Sequence, residues 1–367
     1  MISSILILLA VAIPAGIVYT RKNPQFGGRP TEKDLDRYSR SPQWKDGVFL
    51  NQSLTTMDVS LLSMPGLLKE FLSGRKKRQP LKPLKIESLN LERFEDESDK
   101  FVWYGHSTVL FRVSGLNILV DPMFGPDASP IGPMRTRRFS ENSLEVIDDL
   151  PKLDLVLLTH DHYDHLDYAS IKKLKGKTDA FWVALGTQRH LVKWGIPQKK
   201  IKEFDWWEER ELGALRVIFT PSRHFSGRGP FDRAKSLWGG WVIQTDQRNI
   251  YWSGDGGYDE HFKEIGEKYG PFDWGFMECG QYNEKWHQIH MYPEEAVMAS
   301  QDAKVKTTIP VHWGAFSLAL HDWTDPIERF STEATAHQLS PCYPPLGHIV
   351  SSDSEPAEPW WRLRRNA

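Results

Sequence analysis

The chain has 367 residues, 40% hydrophobic and 26% charged, with a net charge of -2. That length holds one large or two ordinary domains with a sizeable core. The near-neutral charge provides no global basic field to gather nucleic acid, so no nucleic-acid partner is expected.

Two cysteines, Cys279 and Cys342, supply neither a disulfide framework nor a thiolate cluster for zinc. Trp is abundant, with 15 copies, several of them close together at Trp206-Trp207, Trp238 and Trp241, and Trp360-Trp361. Such pairs serve either as core packing or as anchors at a membrane interface.

Residues 2–19 are almost wholly apolar and uncharged, and Arg21 and Lys22 follow directly. Eighteen helical residues span about 27 Å, near the thickness of a bilayer's hydrocarbon core. Residues 1–22 therefore read as a membrane anchor or signal segment. The missing basic stretch before the apolar run favours an uncleaved anchor. The charges on its C-terminal side favour a cytoplasmic body, with a periplasmic one as the alternative. Residues 23–100 read as an arm. Within it, Met57, Leu61, Leu62, Met64, Leu67, Leu68, Phe71 and Leu72 recur at helical spacing, with Pro65 as a break or kink and Gly74 as a stop. The basic cluster at 75–78 follows. This segment is either a membrane-surface element or a helix packed on the body beside a solvated basic loop.

A compact domain is expected over residues 101–345, with an irregular tail over 346–367. Strands are expected at 101–104, 108–113, 117–120, 153–158, 181–185, 215–220, 240–245, 250–252, 273–277 and 307–311. Helices are expected at 167–174, 187–194 and 293–300, the last beginning with Pro293 and acidic residues in its first turn.

One pattern recurs along this stretch. An apolar strand ends, and His160, His224, Asp255 or His312 follows within a few residues. Side chains on loops at strand ends converge in space while remaining distant in sequence. The densest piece is Thr159-His160-Asp161-His162-Tyr163-Asp164-His165. Three imidazoles and a nearby carboxylate suit zinc and similar divalent ions, whereas three histidines on one short loop are hard to place as packing.

His-x-His-x-Asp-His after an apolar strand resembles the hallmark of the metallo-β-lactamase superfamily. Pro221-Ser222-Arg223-His224, Ser253-Gly254-Asp255-Gly256-Gly257 and Ile309-Pro310-Val311-His312-Trp313-Gly314 resemble its later metal motifs. Gly105-His106-Ser107-Thr108, Thr220-Pro221-Ser222-Arg223-His224 and His290-Met291-Tyr292-Pro293-Glu294-Glu295-Ala296 are similar to the branch of N-acylphosphatidylethanolamine-hydrolysing phospholipase D and its bacterial RomA-like relatives. The resemblance covers roughly residues 100–340.

The resemblance implies an α/β (α+β) fold, a four-layer αβ/βα sandwich carrying the N-terminal apolar helix and arm. It implies two divalent metal ions, with zinc the expected element. His160, His162 and His224 would hold one ion and Asp164, His165 and His312 the other, with Asp255 between them. Two such ions share a water and lower its pKa. Asp164 would also orient that water, and His290 would serve as a catalytic proton donor or as a loop residue. His106 and Asp121 would orient ligands. The implied activity is hydrolysis of a membrane phospholipid phosphodiester, with phospholipid and membrane as partners. A soluble-substrate hydrolase of the same fold, of lactonase or sugar-phosphate type, and a non-enzymatic envelope or regulatory protein are the alternatives. The oligomeric state is open, a homodimer among the states allowed.

Overall fold

The structure, a computed structural model, describes residues 14–58, 64–73, 77–130, 135–351 and 359–365. In the arm, β1 (Trp44–Lys45) and β2 (Val48–Phe49) form a short antiparallel ribbon. The next six strands, β3 (Lys100–Trp103), β4 (Val109–Val113), β5 (Leu116–Val120), β6 (Leu153–Leu158), β7 (Thr178–Ala184) and β8 (Ile201–Phe204), lie side by side in chain order. A second sheet takes β9 (Glu209–Leu212), β10 (Leu215–Thr220), β11 (Gly240–Gln244), β12 (Asn249–Trp252), β13 (Phe272–Glu278), β14 (Val305–Val311) and β15 (Ser340–Pro341), again in chain order. β16 (Ile349–Ser351) returns to the first sheet and pairs antiparallel with β3.

Burial on both faces explains the continuous apolar runs. Phe101 and Trp103 of β3, with Leu155 and Leu157 of β6, enter the core shared with Trp241, Trp252 and Phe276 of the second sheet. Val102, Val156 and Leu158 point the other way, against Ile171, Leu174, Leu191 and Trp194 of the outer helices Tyr168–Leu174 and Gln188–Lys193. The second sheet is covered by helices His261–Lys268, Pro293–Asp302 and Asp325–Ala336. The result is the helix-sheet-sheet-helix sandwich. The tryptophan pairs belong to it, since Trp206, Trp238, Trp241 and Trp361 are all buried.

Several expectations need correction. The arm helix begins at Met64 and runs to Ser73, so Pro65 lies in its first turn, where it lacks only an N–H that would go unpaired anyway. Residues 59–63 and 74–76 lie outside the described residues, with Leu61, Leu62, Gly74 and half of the basic cluster. Arg78 of that cluster is not solvated. It is buried, and its Nε donates to the carbonyl of Leu320 at 3.1 Å. The tail is not irregular throughout, because β16 pairs with β3 and helix Trp360–Arg365 seats Trp361 against Trp313 and Tyr343. Most of the apolar N-terminal run, residues 1–13, lies outside the described residues, and residues 14–22 are helical. Among the described residues no helix is long and apolar enough to cross a membrane.

Strand direction positions the site. β5, β6, β7 and β8 are parallel, as are β12, β13 and β14, and β3 and β10 run the same way as their parallel neighbours. The carboxyl ends of both sheets therefore meet at one edge, where open α/β sheets place their ligands. The sheets are tied there by His106 N–H donating to Trp313 O at 2.7 Å and His312 N–H to His106 O at 3.0 Å.

Candidate metal centre

Each predicted residue sits just past a strand end at that edge. His160, His162, Asp164 and His165 follow β6, His224 follows β10, Asp255 follows β12 and His312 follows β14. All seven are brought together. His106, Asp121 and His312 hold left-handed backbone, with φ of 53°, 43° and 67°. This conformation is rare for residues other than glycine and costs roughly 1–3 kcal/mol each, a strain found typically at functional sites.

The proton positions can be read from the network. The Thr159 hydroxyl donates to Asp121 Oδ2 at 2.7 Å, so towards His160 Nδ1, 3.0 Å away, its oxygen must accept. His160 therefore carries its proton on Nδ1 and leaves Nε2 as a bare lone pair. His224 Nδ1 faces the carbonyl of Ile289 at 2.9 Å, which again frees Nε2. These two Nε2 atoms point at His162 Nδ1 from 2.9 and 3.1 Å. Two nitrogen ligands on one tetrahedral zinc stand roughly 3.3 Å apart. Three clustered ring nitrogens, two of them unprotonated, fit a divalent cation.

A second group adjoins the first. His165 Nδ1 donates to Asp121 at 2.8 Å, and its buried Nε2, which makes no hydrogen bond, lies 3.0 Å from Asp255 and 3.6 Å from Asp164. Asp164 is held by His106 Nε2 at 2.8 Å. His312 Nε2 is likewise buried without a partner, 4.0 Å from Asp164, while Ser107 Oγ lies 3.1 Å from Nδ1. Asp255 stands between the groups. One oxygen is 3.9 and 4.0 Å from His160 and His224 and 3.0 Å from His165, and the other is 3.2 Å from His312. His106 and Asp121 thus touch ligand side chains and fix their orientation.

Burial dominates the electrostatics. It pushes His160, His224 and His312 well below the usual histidine range, aided by neighbouring imidazoles, and His162 down to about 4. These rings are neutral at pH 7, the state in which an imidazole can ligate a cation. Burial acts the same way on His165 but is outweighed by Asp255, Asp164 and Asp121, which raise it well above 6.5. Burial also raises Asp255. The His165–Asp255 pair therefore keeps a proton at neutral pH that a cation must displace. Metal affinity should fall as pH drops, and loading at pH 7 should release about one proton per chain. Calorimetry in buffers of different ionisation enthalpy measures this, and zero release would contradict it.

Three contributors escaped the sequence analysis. Glu278, the last residue of β13, is buried, bonds His290 Nδ1 and accepts the N–H of Gly256. Burial and then the charge of Asp255 raise it well above the usual carboxyl range. His290 itself stacks on His312 at 5.2 Å and packs edge-on against His224 at 4.9 Å, so it faces the centre.

Asp161 lies under the histidine loop. It accepts from Gly227 N–H at 2.7 Å, Ser236 Oγ at 2.6 Å and His190 Nε2 at 3.1 Å, with Arg189 at 3.4 Å. Burial alone would raise its carboxyl, but His190, Arg189 and Ser236 hold it well below the carboxylate range. His190 in turn accepts the N–H of Gly28 on Nδ1 at 3.0 Å, strapping the arm to the loop. Asp161→Ala removes the nearer of two carboxylates from the buried Arg189, leaving Asp232 at 4.0 Å, and strips His190 and Ser236 of their acceptor; it should cost about 3 kcal/mol of unfolding free energy. A denaturant titration showing a loss below about 1 kcal/mol would remove Asp161 from this role.

Asn51 is the third. Its side chain clamps both the N–H and C=O of His224, at 3.0 and 2.8 Å. It also lines a cavity of about 700 Å³ that ends on His224 and is walled by Phe49, Leu50, Leu54, Met57, Phe225 and Ile289.

A family description, the beta-lactamase superfamily domain, matches residues 116–313. The chain belongs to the metallo-β-lactamase superfamily. It is a metal-dependent hydrolase of that fold. It is 36% identical to an uncharacterized protein of Mycobacterium tuberculosis over 88% of each chain. It is 30% identical to N-acyl-phosphatidylethanolamine-hydrolyzing phospholipase D 1 of Caenorhabditis elegans, over 65% of this chain and 71% of that one. Among solved structures, a metallo hydrolase of the archaeon Ignicoccus hospitalis superposes with a TM-score of 0.55 at 22% identity, over 70% of this chain and 100% of that one. That likeness speaks to the fold.

Proposed function

We propose that this metallo-β-lactamase hydrolase cleaves the phosphodiester of a membrane phospholipid of the N-acylphosphatidylethanolamine type, releasing phosphatidic acid and an N-acylethanolamine. The observation that carries this reading is the apolar cavity ending on His224, with Leu50 and Leu54 exposed at its wall. Acyl chains fit such a lining, and a small sugar phosphate does not. The name of the Caenorhabditis elegans relative supports the same substrate class.

In this reading His160, His162 and His224 would hold one divalent ion, zinc for choice, Asp164, His165 and His312 would hold a second, and Asp255 would be available to either. Bound there, two ions supply water activation at neutral pH and neutralise charge on phosphoryl oxygens. Asp164, fixed by His106, also orients the attacking water. His290, with Glu278 behind it, passes a proton to the leaving oxygen. The apolar segment in residues 1–22 holds the protein at the membrane with its body on the cytoplasmic side, so the lipid reaches the site from the bilayer.

Product analysis tests this. Metal-loaded protein and a chelated control are incubated with N-acylphosphatidylethanolamine vesicles, and lipids are identified by mass spectrometry. Metal-dependent appearance of both products is expected. A fully metallated protein that spares the lipid yet opens lactones would discard the substrate.

A further inference from the structure

A second cavity, of about 1010 Å³, lies between the end of the N-terminal helix and the loop that follows β5. None of the seven predicted metal ligands lines it. Its wall includes Arg138 and Ser140, which are only 8% and 5% exposed. The Arg138 guanidinium donates to two backbone carbonyls, Met123 O at 2.6 Å and Tyr104 O. No carboxylate forms an ion pair with it among the described residues, and its Nε is buried without a partner. The Ser140 hydroxyl is also buried and unpartnered. A buried cation served by carbonyl dipoles and by the Phe316 ring, 5.3 Å from its guanidinium carbon, still keeps much of its desolvation penalty. Two unpaired buried donors beside an open volume are the arrangement that an incoming anion would satisfy.

The surroundings agree in sign. Arg135, Arg137 and Lys82 line the same cavity from exposed positions. Of the nearby acids, Asp127 is engaged, since its Oδ1 accepts from the N–H groups of Ser129 and Thr136 at 3.0 and 2.9 Å. Asp127, Glu141 and Glu145 are the acids set against these bases in the lining. Burial lowers Arg138 only to about 10, so it is charged at neutral pH. The planar guanidinium suits phosphate oxygens in particular.

We propose that this cavity is a binding site for a phosphate group, separate from the metal centre. Phe316 touches both neighbourhoods, with the Arg138 guanidinium carbon 5.3 Å from its ring and His106 packed edge-on at 5.3 Å. Tyr19, the last residue of the apolar N-terminal run, and Asn23 form part of the wall and reach Pro130 O at 2.9 and 3.5 Å. A phosphate held here sits where the chain leaves that run. An anionic lipid headgroup and free phosphate share this chemistry, and the test separates them.

Full-length, metal-loaded protein in mild detergent is titrated calorimetrically with inorganic phosphate and with dihexanoyl phosphatidic acid. The same titrations are run on Ser140→Ala, on Arg135→Ala with Arg137→Ala, and on Asp255→Asn alone. Arg138 is left intact because its carbonyl bonds also hold the loop. Losing charge-assisted bonds to phosphate should raise Kd about tenfold in the arginine pair and severalfold in Ser140→Ala. Metal content and turnover of a soluble phosphodiester should stay at wild-type levels in both. Asp255→Asn alone should retain the affinity. Unchanged Kd in both cavity variants, or binding lost with Asp255→Asn alone, would overturn the site, the latter placing the anion on the metals. Tighter binding of phosphatidic acid than of phosphate assigns the lipid as source, and equal binding assigns the free anion.

Discussion

Replacing Asp255 by Asn together with His165 by Ala should abolish metal loading and lower kcat/KM by at least about 10³, or about 4 kcal/mol of transition-state stabilisation. Among the described residues, Asp255 is the one carboxylate within 4.0 Å of His160, His165, His224 and His312 together. His165 is the imidazole set between Asp121, Asp164 and Asp255. Without them the remaining histidines have no shared counter-charge. Burial leaves those histidines neutral, so the fold itself should survive. Elemental analysis checks this beside a circular dichroism spectrum. Near-normal metal in a folded double variant would refute the ligand set.

His290→Ala should reduce kcat on a phosphodiester by about 10²–10³ while metal content stays intact, the range expected for loss of a general acid. The ring packs against His224 and His312, and its Nδ1 is bonded to Glu278. Glu278, raised by burial, can return a proton to it. The loss should shrink for substrates whose leaving group needs no protonation, such as a nitrophenolate. An equal loss on both substrates would make His290 a positioning residue only.

Much of this was legible because the chemistry is local or the pattern strong. β6 spans 153–158 as expected, since a strand buried on both faces writes an unbroken apolar run. The histidine loop concentrates its ligands in six residues, and the remaining ligands each follow an apolar strand. Glu278 obeyed the same strand-end rule but is the final residue of β13 rather than part of the loop beyond it. Asp161 was hidden inside the motif itself, because its partners Arg189, His190, Gly227 and Ser236 are tens of residues away. Asn51 belongs to an arm whose sequence carries no sign of contact with His224, 173 residues on. β8 and β9, with sequences IKEF and EREL, alternate too weakly or are too polar to announce a strand. β16 and the Trp361 helix depend on packing that only the folded body provides.

The proposed reaction has water from this centre attacking phosphorus. The direct measurement is hydrolysis of N-acylphosphatidylethanolamine vesicles by the metal-loaded protein in ¹⁸O-enriched water, with both products weighed by mass spectrometry. The expected result is one ¹⁸O in the phosphate of phosphatidic acid and none in the N-acylethanolamine. Label in the N-acylethanolamine hydroxyl or in a released fatty acid would contradict attack at phosphorus.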